Sequence, residues 1–156
     1  MIQLVAFSLN DQRYALSLSA VERIIRAVEI TALPKAPAIV LGIVNVGGRI
    51  IPVVNVRQRF HLLDREIEPR DQVILGQTGR RTVALVVDEV SSVVARPESE
   101  VIAAHEILPG LEGLHGVARL EDGMILIYDL DKFLSLEEEA VLDRALAKAE
   151  NLDETG

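Results

Sequence analysis

The sequence contains no cysteine and no tryptophan, and its aromatic residues are three phenylalanines and two tyrosines. Without cysteine there can be no disulfide framework, no thiolate metal site and no cysteine nucleophile. No apolar run reaches the roughly 18 residues that span a bilayer. The first residues lack the basic flank and the cleavage site of a signal peptide. We therefore expect a cytoplasmic location, with no insertion of this chain into a membrane.

Positive charge is also scarce. The chain has 16 lysines and arginines against 24 aspartates and glutamates, which gives a formal net charge of −8. A phosphate-binding face needs an excess of basic residues, so this balance argues against a nucleic-acid partner. Much of the acidic excess lies at the C-terminal end, since seven acidic and two basic residues follow from Glu137 onward.

Residues suited to catalysis are few. The candidates for acid–base or metal chemistry are His61, His105 and His115. They lack the spacing of an HExxH zinc helix, and only His61 has a carboxylate, Asp64, three residues away. The sequence has no Gly-x-Ser-x-Gly elbow and no Lys-Ser/Thr after a glycine-rich loop. It therefore predicts no catalytic residue, no cofactor and no metal site.

The sequence is instead rich in short aliphatic runs. Hydrophobic residues make up 49% of the chain, and many of them are valines and isoleucines in runs such as 50–54 and 83–87. Such runs, bounded by glycine, asparagine or aspartate, are typical of β-strands. Short polar segments at 9–13, 46–49, 77–80 and 121–123 separate apolar runs and predict hairpin turns.

The chain also repeats itself. Residues 14–18 match 83–87 at an offset of 69, and further on residues 42–44 and 50–56 match 116–118 and 124–130 at an offset of 74. Two ordered blocks with a small insertion between them indicate an internal duplication. About five strands in each half is the scale of a small barrel. We expect an all-β fold of two five-stranded barrels, about residues 1–66 and 67–134, with possible exchange of edge strands.

The last segment has the pattern of a helix. Ser135 and Glu138 have the spacing of a capping box, and an apolar stripe follows at helical spacing: Leu142, Ala145, Leu146 and Ala149. The sequence predicts a C-terminal helix over 135–150 and a loose tail over 151–156. The stripe favours a helix packed on a barrel, and a partner-binding helix is the alternative.

The duplication also points to an apolar groove. At the offset of 69, three aliphatic residues of the first half recur in the second: Val21, Ile24 and Ile25 match Val90, Val93 and Val94. If the halves are related by a pseudo-two-fold axis, such residues can face one another across the junction. A groove lined by aliphatic side chains suits an amphipathic helix. The alternative is that all six residues fill the interiors of their own barrels.

Three segments carry a resemblance to a known family: residues 7–25, the Gly-…-Asn-x-x-Gly-x-x-x-Pro-Val segment within 42–57, and Val-Val-Asp-x-Val at 86–90. Together they resemble the CheW family of bacterial chemotaxis coupling proteins, over residues 2 to about 145. The resemblance implies one CheW-like domain, 1–136, made of two SH3-like barrels. It also implies a non-enzymatic scaffold that links the cytoplasmic helical tip of a chemoreceptor to the regulatory domain of a CheA-type histidine kinase.

The resemblance also assigns residues. It places the receptor-binding groove on six positions: Val21, Ile24, Gly42, Ile43, Val87 and Val90. Typical relatives carry a glutamate where this chain has Arg23 and an arginine where it has Gly47, a pair associated with the coupling of receptors to kinase control. We do not expect Glu22 to substitute, because neighbouring residues of a strand point to opposite faces.

Two other functions are compatible with the sequence. The first is a CheW-like scaffold for a receptor–kinase pathway outside chemotaxis, which would use the same groove. The second belongs to another class, a small-ligand-binding or hydrolytic barrel protein, which would need polar groups converging in a pocket.

Overall fold

The computed structural model describes residues 1–27, 29–103, 113–120 and 123–155, with the side chains given as far as residue 149. Within these residues lie eleven strands and two α-helices. The strands are β1 (Ile2–Leu9), β2 (Gln12–Ser17), β3 (Val21–Arg26), β4 (Val40–Val46), β5 (Arg49–Val54), β6 (Gln72–Gln77), β7 (Thr82–Val87), β8 (Glu89–Arg96), β9 (Val101–Ala103), β10 (Leu114–Leu120) and β11 (Gly123–Tyr128). The helices are α1 (Val56–Arg59) and α2 (Leu136–Thr155).

The strands form two sheets. Sheet A has the order β8-β1-β2-β11-β10-β9, and sheet B has the order β3-β6-β7-β5-β4. In each sheet one pair of strands is parallel, β2 with β11 in sheet A and β7 with β5 in sheet B. The all-β fold with two barrel subdomains and a C-terminal helix is confirmed.

The order of the strands confirms the duplication. The offsets of 69 and 74 relate β1, β2, β3, β4 and β5 to β6, β7, β8, β10 and β11. Five strands of sheet A have the order β8-β1-β2-β11-β10. When each of these five is replaced by its counterpart, the order becomes β3-β6-β7-β5-β4, which is sheet B. The predicted boundary at residues 66 and 67 does not separate the sheets. Instead, β1 and β2 join the last four strands of the second half, and β6 and β7 join the last three strands of the first half.

Three of the four predicted hairpin turns are present. Asn10 and Asp11 connect β1 to β2 with φ of 51° and 67°, and Gly47 and Gly48 connect β4 to β5 with φ of 59° and 88°. Positive φ at both central residues is the signature of a type I′ turn, whose twist matches that of the strands. The third turn connects β6 to β7. The fourth, at 121–123, lies partly outside the described residues.

Side chains alternate between three apolar cores. In β6, for example, Val73 and Leu75 belong to the core of sheet B, whereas Ile74 belongs to a core shared with sheet A. In β2, Ala15 lies in the core of sheet A, and Tyr14 and Leu16 lie in the shared core. This is the period-2 alternation of a strand that is buried on both faces. The largest of the three clusters is the shared core between the sheets.

All five aromatic residues of the chain meet in this shared core. Phe60, which follows α1, lies 4.5 Å from Tyr14, 4.2 Å from Tyr128 and 5.7 Å from Phe133, measured between ring centroids, and Phe7 lies 5.8 Å from Tyr14. These separations are about those of favourable aromatic pairs. Burial raises the pKa of both tyrosine hydroxyls, so they remain neutral at physiological pH.

Helix α2 packs on the shared core, as predicted. The Ser135 hydroxyl accepts from the Glu138 backbone N–H at 3.0 Å, and the Glu138 carboxylate accepts from the Ser135 N–H at 2.8 Å, so the capping box is confirmed. Leu142 and Ala145 are buried in the shared core. Arg81 forms an ion pair with Glu139 at 2.7 Å. The helix continues to Thr155, so the prediction of a loose tail from residue 151 is wrong for 151–155.

Two equivalent glycines mark places where chain segments approach closely. A Cβ on Gly42 would lie 2.3 Å from the Thr31 carbonyl oxygen, and a Cβ on Gly116 would lie 2.7 Å from the Ile102 carbonyl oxygen. Both glycines follow a shift of register in the adjacent hairpin. The duplication has therefore preserved a backbone approach that leaves no room for a side chain.

We expect Gly42→Ala and Gly116→Ala each to lower the free energy of unfolding by about 1–3 kcal/mol, because backbone atoms must move to admit the methyl group. Gly79→Ala is the matched control, since the nearest atom to its Cβ would be 3.8 Å away. Urea unfolding of the three variants measures the effect. Equal stability of all three would show that the close approaches are not constrained.

Candidate functional site

Four of the six predicted groove residues belong to the shared core or pack against it. Val21, Ile43 and Val90 are half-buried against the shared core, and Val87 lies within it. They come from β3, β4, β8 and β7, so both sheets contribute. The shared core therefore has aliphatic side chains at its edge. Of the other residues in the apolar repeat, Ile25 packs against the core of sheet B, Val94 packs against the core of sheet A, and Val93 is 59% exposed.

The other two groove residues differ from one another. Ile24 is 39% exposed, which makes it the most accessible aliphatic side chain of the set. Gly42 is buried and carries no side chain, and its role is to admit the backbone of Thr31. Val87 is only 1% exposed, so the expectation that its side chain lines an open groove is wrong, because the shared core covers it.

A β-bulge in β3 explains why Val21 and Ile24 lie together. Val21 pairs with Gly76, and Ile24 pairs with Ile74. Val21 and Ile24 are three positions apart in β3, whereas their partners are only two positions apart in β6. The extra residue in β3 places both apolar side chains on the face of Ile74, which belongs to the shared core. β8 has the equivalent bulge, where Val90 and Ser92 pair with Phe7 and Ala6.

The same bulge changes the expectation for the charged pair. Glu22 reaches Arg49 at the start of β5, with its carboxylate accepting from both terminal nitrogens at 2.5 and 3.3 Å. The hydrogen bond from Arg49 lowers the pKa of Glu22. That Glu22 does not substitute for the missing acid stays a prediction, and the contact with Arg49 shows that Glu22 is part of an acid–base pair. An acid–base pair stands beside the two divergent positions, Arg23 and Gly47.

Polar contacts continue from this pair across sheet B. Arg49 also donates to the Thr82 hydroxyl at 2.8 Å, and Thr82 donates to the side-chain oxygen of Gln77 at 2.7 Å. β3, β5, β7 and β6 are thus tied together at one end of the sheet. Gly47 lies at the adjoining turn, where the positive φ favours glycine.

A second charged network ties the two sheets together. Arg65 bonds to Asp71 at 2.7 and 3.0 Å and to Asp88 at 2.5 Å, and Asp88 also pairs with Arg57. Asp88 accepts from the backbone N–H of Asn10 in the β1–β2 turn at 2.9 Å. Two of these residues, Arg57 and Asp88, lie in the segments that carry the family resemblance. Their role as a structural ion pair was missed, and their conspicuous polarity after apolar runs was the available signal.

The network holds its carboxylates ionised. Burial raises the pKa of Asp88, but the Asn10 N–H together with Arg65 and Arg57 outweighs this effect, and the pKa lies below its usual value. Asp71 behaves in the same way, with burial opposed by Arg65 and by the Glu68 N–H. Favourable contacts to the ionised form are the cause of both shifts.

The histidines do not come together in the described part of the chain. His61 is exposed after α1 and His115 is exposed on β10, while His105 lies outside the described residues. Asp64, the neighbour expected for His61, instead accepts a hydrogen bond from the Asn55 amide at 3.1 Å. Among the described residues no three His, Cys, Asp or Glu side chains are grouped to hold a metal.

Within the described residues, no helix is both long and apolar enough to cross a membrane.

Comparisons with known proteins agree on one family. The model of the CheW-like domain matches residues 3–138. A chemotaxis protein CheW of Rhizobium meliloti is 31% identical over 138 residues, covering 87% of this chain and 89% of that protein. A chemotaxis protein CheW of Treponema pallidum is 29% identical over 142 residues, covering 87% and 84%. The solved structure of the scaffolding protein TtCheW from Thermoanaerobacter tengcongensis is similar with a TM-score of 0.79 and 27% identity, covering 88% of this chain and 94% of that one.

We expect the charged network to make the protein sensitive to acid. A carboxylate whose pKa is lowered on folding contributes stability that is complete above its unfolded pKa of about 4 and is lost as the pH falls through the folded value. The free energy of unfolding should therefore fall below about pH 4 as Asp71 and Asp88 take up protons. Asp88→Asn should cost about 1–3 kcal/mol at pH 7 and flatten the acid limb.

Urea unfolding between pH 7 and pH 3 measures both effects. Glu89→Gln is the control, because it removes an exposed carboxylate on the residue next to Asp88. An acid limb as steep in Asp88→Asn as in the unmodified chain would contradict the assignment.

Proposed function

The chain belongs to the CheW-like domain family, and on that premise we propose that it couples the cytoplasmic helical tips of chemoreceptors to a CheA-type histidine kinase in bacterial chemotaxis. It acts there as a cytoplasmic adaptor without catalytic activity, which reaches the membrane only through the receptors. The relatives named above support this role, since they are chemotaxis proteins and one is a scaffolding protein.

One structural observation carries the proposal. Val21, Ile43 and Val90 form an aliphatic edge of the shared core and are half-buried. Ile24 lies on the same face of β3 as Val21 and is 39% exposed. An amphipathic helix can lay its apolar face on such an edge and complete the burial of these side chains. The helical tip of a receptor has this shape, and we assign the groove to it.

Reconstitution from purified components tests the proposal directly. The chain should sediment with a receptor cytoplasmic fragment and the kinase, and should raise receptor-stimulated phosphotransfer. A complex with neither partner would contradict the proposal. Binding of a kinase from a different pathway in place of CheA would favour a scaffold outside chemotaxis.

We expect Ile24→Asp to weaken receptor binding by about 30-fold or more, because the helix would bury an unpaired carboxylate. The fold should be preserved, since Ile24 is partly exposed. Met124→Asp is the matched control, as Met124 is 60% exposed on β11. Co-sedimentation and thermal melts measure binding and folding. Equal loss of receptor binding in both variants would show that Ile24 does not line the receptor-binding groove.

The pair of Glu22 and Arg49 supports a coupling-competent adaptor. The sequence had suggested weak coupling, because Arg23 and Gly47 replace the usual acid and base. Glu22 and Arg49 supply both charges next to these positions, joined by two hydrogen bonds. We assign the role of the missing pair to them.

A double-mutant cycle tests this assignment. Glu22→Gln and Arg49→Gln should each lower receptor-stimulated phosphotransfer by a similar factor, and the double variant should fall no further, because each change already breaks the same pair. Glu29→Gln, an exposed acid just beyond β3, is the control. Fully multiplicative losses, or no loss at all, would show that the pair does not serve coupling.

A further inference from the structure

A recess lies where the parallel strands β5 and β7 end, beneath the segment 64–71. Its volume is about 470 Å³, within the range of pockets that bind small molecules or single side chains. Five apolar residues line it: Leu41, Val54, Val56, Ile67 and Val86. None of them belongs to the groove assigned above, so the recess is a separate surface.

The recess has a counterpart at the equivalent position of the other sheet. Sheet A has a recess of about 340 Å³ at its corresponding end. The offset of 74 relates Leu41 and Val54 of the first recess to His115 and Tyr128 of the second, and the offset of 69 relates Val86 to Ser17. The architecture has thus been kept at both ends, while the lining has diverged. At these equivalent positions the recess of sheet B has the apolar residues, and the recess of sheet A has His115, Tyr128 and Ser17.

The rim of the apolar recess has uncompensated negative charge. Two arginines at the recess, Arg57 and Arg65, are paired with the carboxylates of Asp71 and Asp88. Two further carboxylates at the rim, Asp64 and Glu66, are exposed. Asp64 accepts a hydrogen bond from the Asn55 amide, which carries no charge. Four carboxylates against two guanidiniums leave a local charge of −2.

Apolar surface also continues from the recess to the outside. Leu41 is 41% exposed and Ile67 is 39% exposed, and both line the opening. A ligand enclosed by the recess would leave this surface in water. An extended chain segment would cover it while one of its side chains fills the recess.

We propose that this recess docks a peptide segment of a partner protein, in which an apolar side chain enters the recess and a neighbouring arginine or lysine pairs with Asp64 and Glu66. The apolar lining of the recess favours an apolar side chain, and the negative charge at the rim favours a positively charged residue next to it in the peptide. Such a contact weakens with added salt, because the carboxylates are solvent-exposed. It gives the adaptor a second point of attachment, independent of the groove.

Titration of the full chain with short synthetic peptides tests the proposal, followed by two-dimensional amide NMR. The probe is Gly-Ser-Leu-Arg-Ser-Gly, compared with peptides that carry Glu in place of Arg or Ala in place of Leu. The Leu-Arg peptide should bind about tenfold or more tightly than either relative. Its shifts should centre on residues 54–57 and on Val86.

Two variants identify the groups responsible. In Asp64→Asn with Glu66→Gln the preference for Arg over Glu should fall to about threefold or less, since the local charge is removed. Glu98→Gln with Glu100→Gln, which removes two exposed acids elsewhere, should keep the full preference. Amide spectra without peptide show whether each variant is folded, and the shift map of the unmodified chain stands even where a variant is not.

Three results would overturn the proposal: shifts centred outside the recess, an Arg preference that survives loss of the rim carboxylates, or absence of any Leu-Arg preference. Hexylguanidinium binding as tightly as the peptide would also overturn it, because the occupant would then be a small organic cation.

Discussion

The shared core between the two sheets is the contact on which the rest of the molecule depends. Sheet A takes two strands from the first half of the chain and four from the second, and sheet B takes two from the second half and three from the first, so neither half can complete a sheet alone. One set of alternating side chains from each of β2, β6 and β7 packs in this core, together with every aromatic side chain. Helix α2 and the residues of the groove are added at its margins. The groove that we propose therefore depends on the same contact that stabilises the fold.

Local departures from regular strands determine which side chains reach the surface. The bulge in β3 turns a spacing of three residues into a common face for Val21 and Ile24, and it brings Glu22 to Arg49. The close approach at Gly42 fixes the neighbouring strand. Bulges commonly re-aim side chains in this way at functional edges. The proposed binding surface is thus specified by register as much as by the identity of its residues.

Much of the architecture could be predicted from the sequence. Period-2 alternation, turn residues and the repeat gave the fold class, the hairpins and the duplication, and the Ser135–Glu138 spacing gave the start of α2. The sequence allowed for an exchange of edge strands, but which strands exchange could not be predicted, because the two possible partners of β1 and β2 are related by the duplication and satisfy the same apolar pattern. The burial of Val87 and the contact of Glu22 depend on that pairing and on the bulge, which leave no periodic signal. The resemblance to a family supplied the predictions of the groove and of its partners.

The exchanged strands have a consequence for the history of the fold. A chain of half the length, carrying five strands, would place its first hairpin in the sheet of a second copy and receive the same hairpin in return. This arrangement is a domain-swapped homodimer. Joining two such copies end to end produces the strand order seen here without any rearrangement of the sheets. Once fused, the two copies no longer share one sequence, so each could acquire its own surface chemistry. Leu41 and His115 are an example, since they occupy equivalent positions in the two sheets but one side chain is apolar and the other is polar.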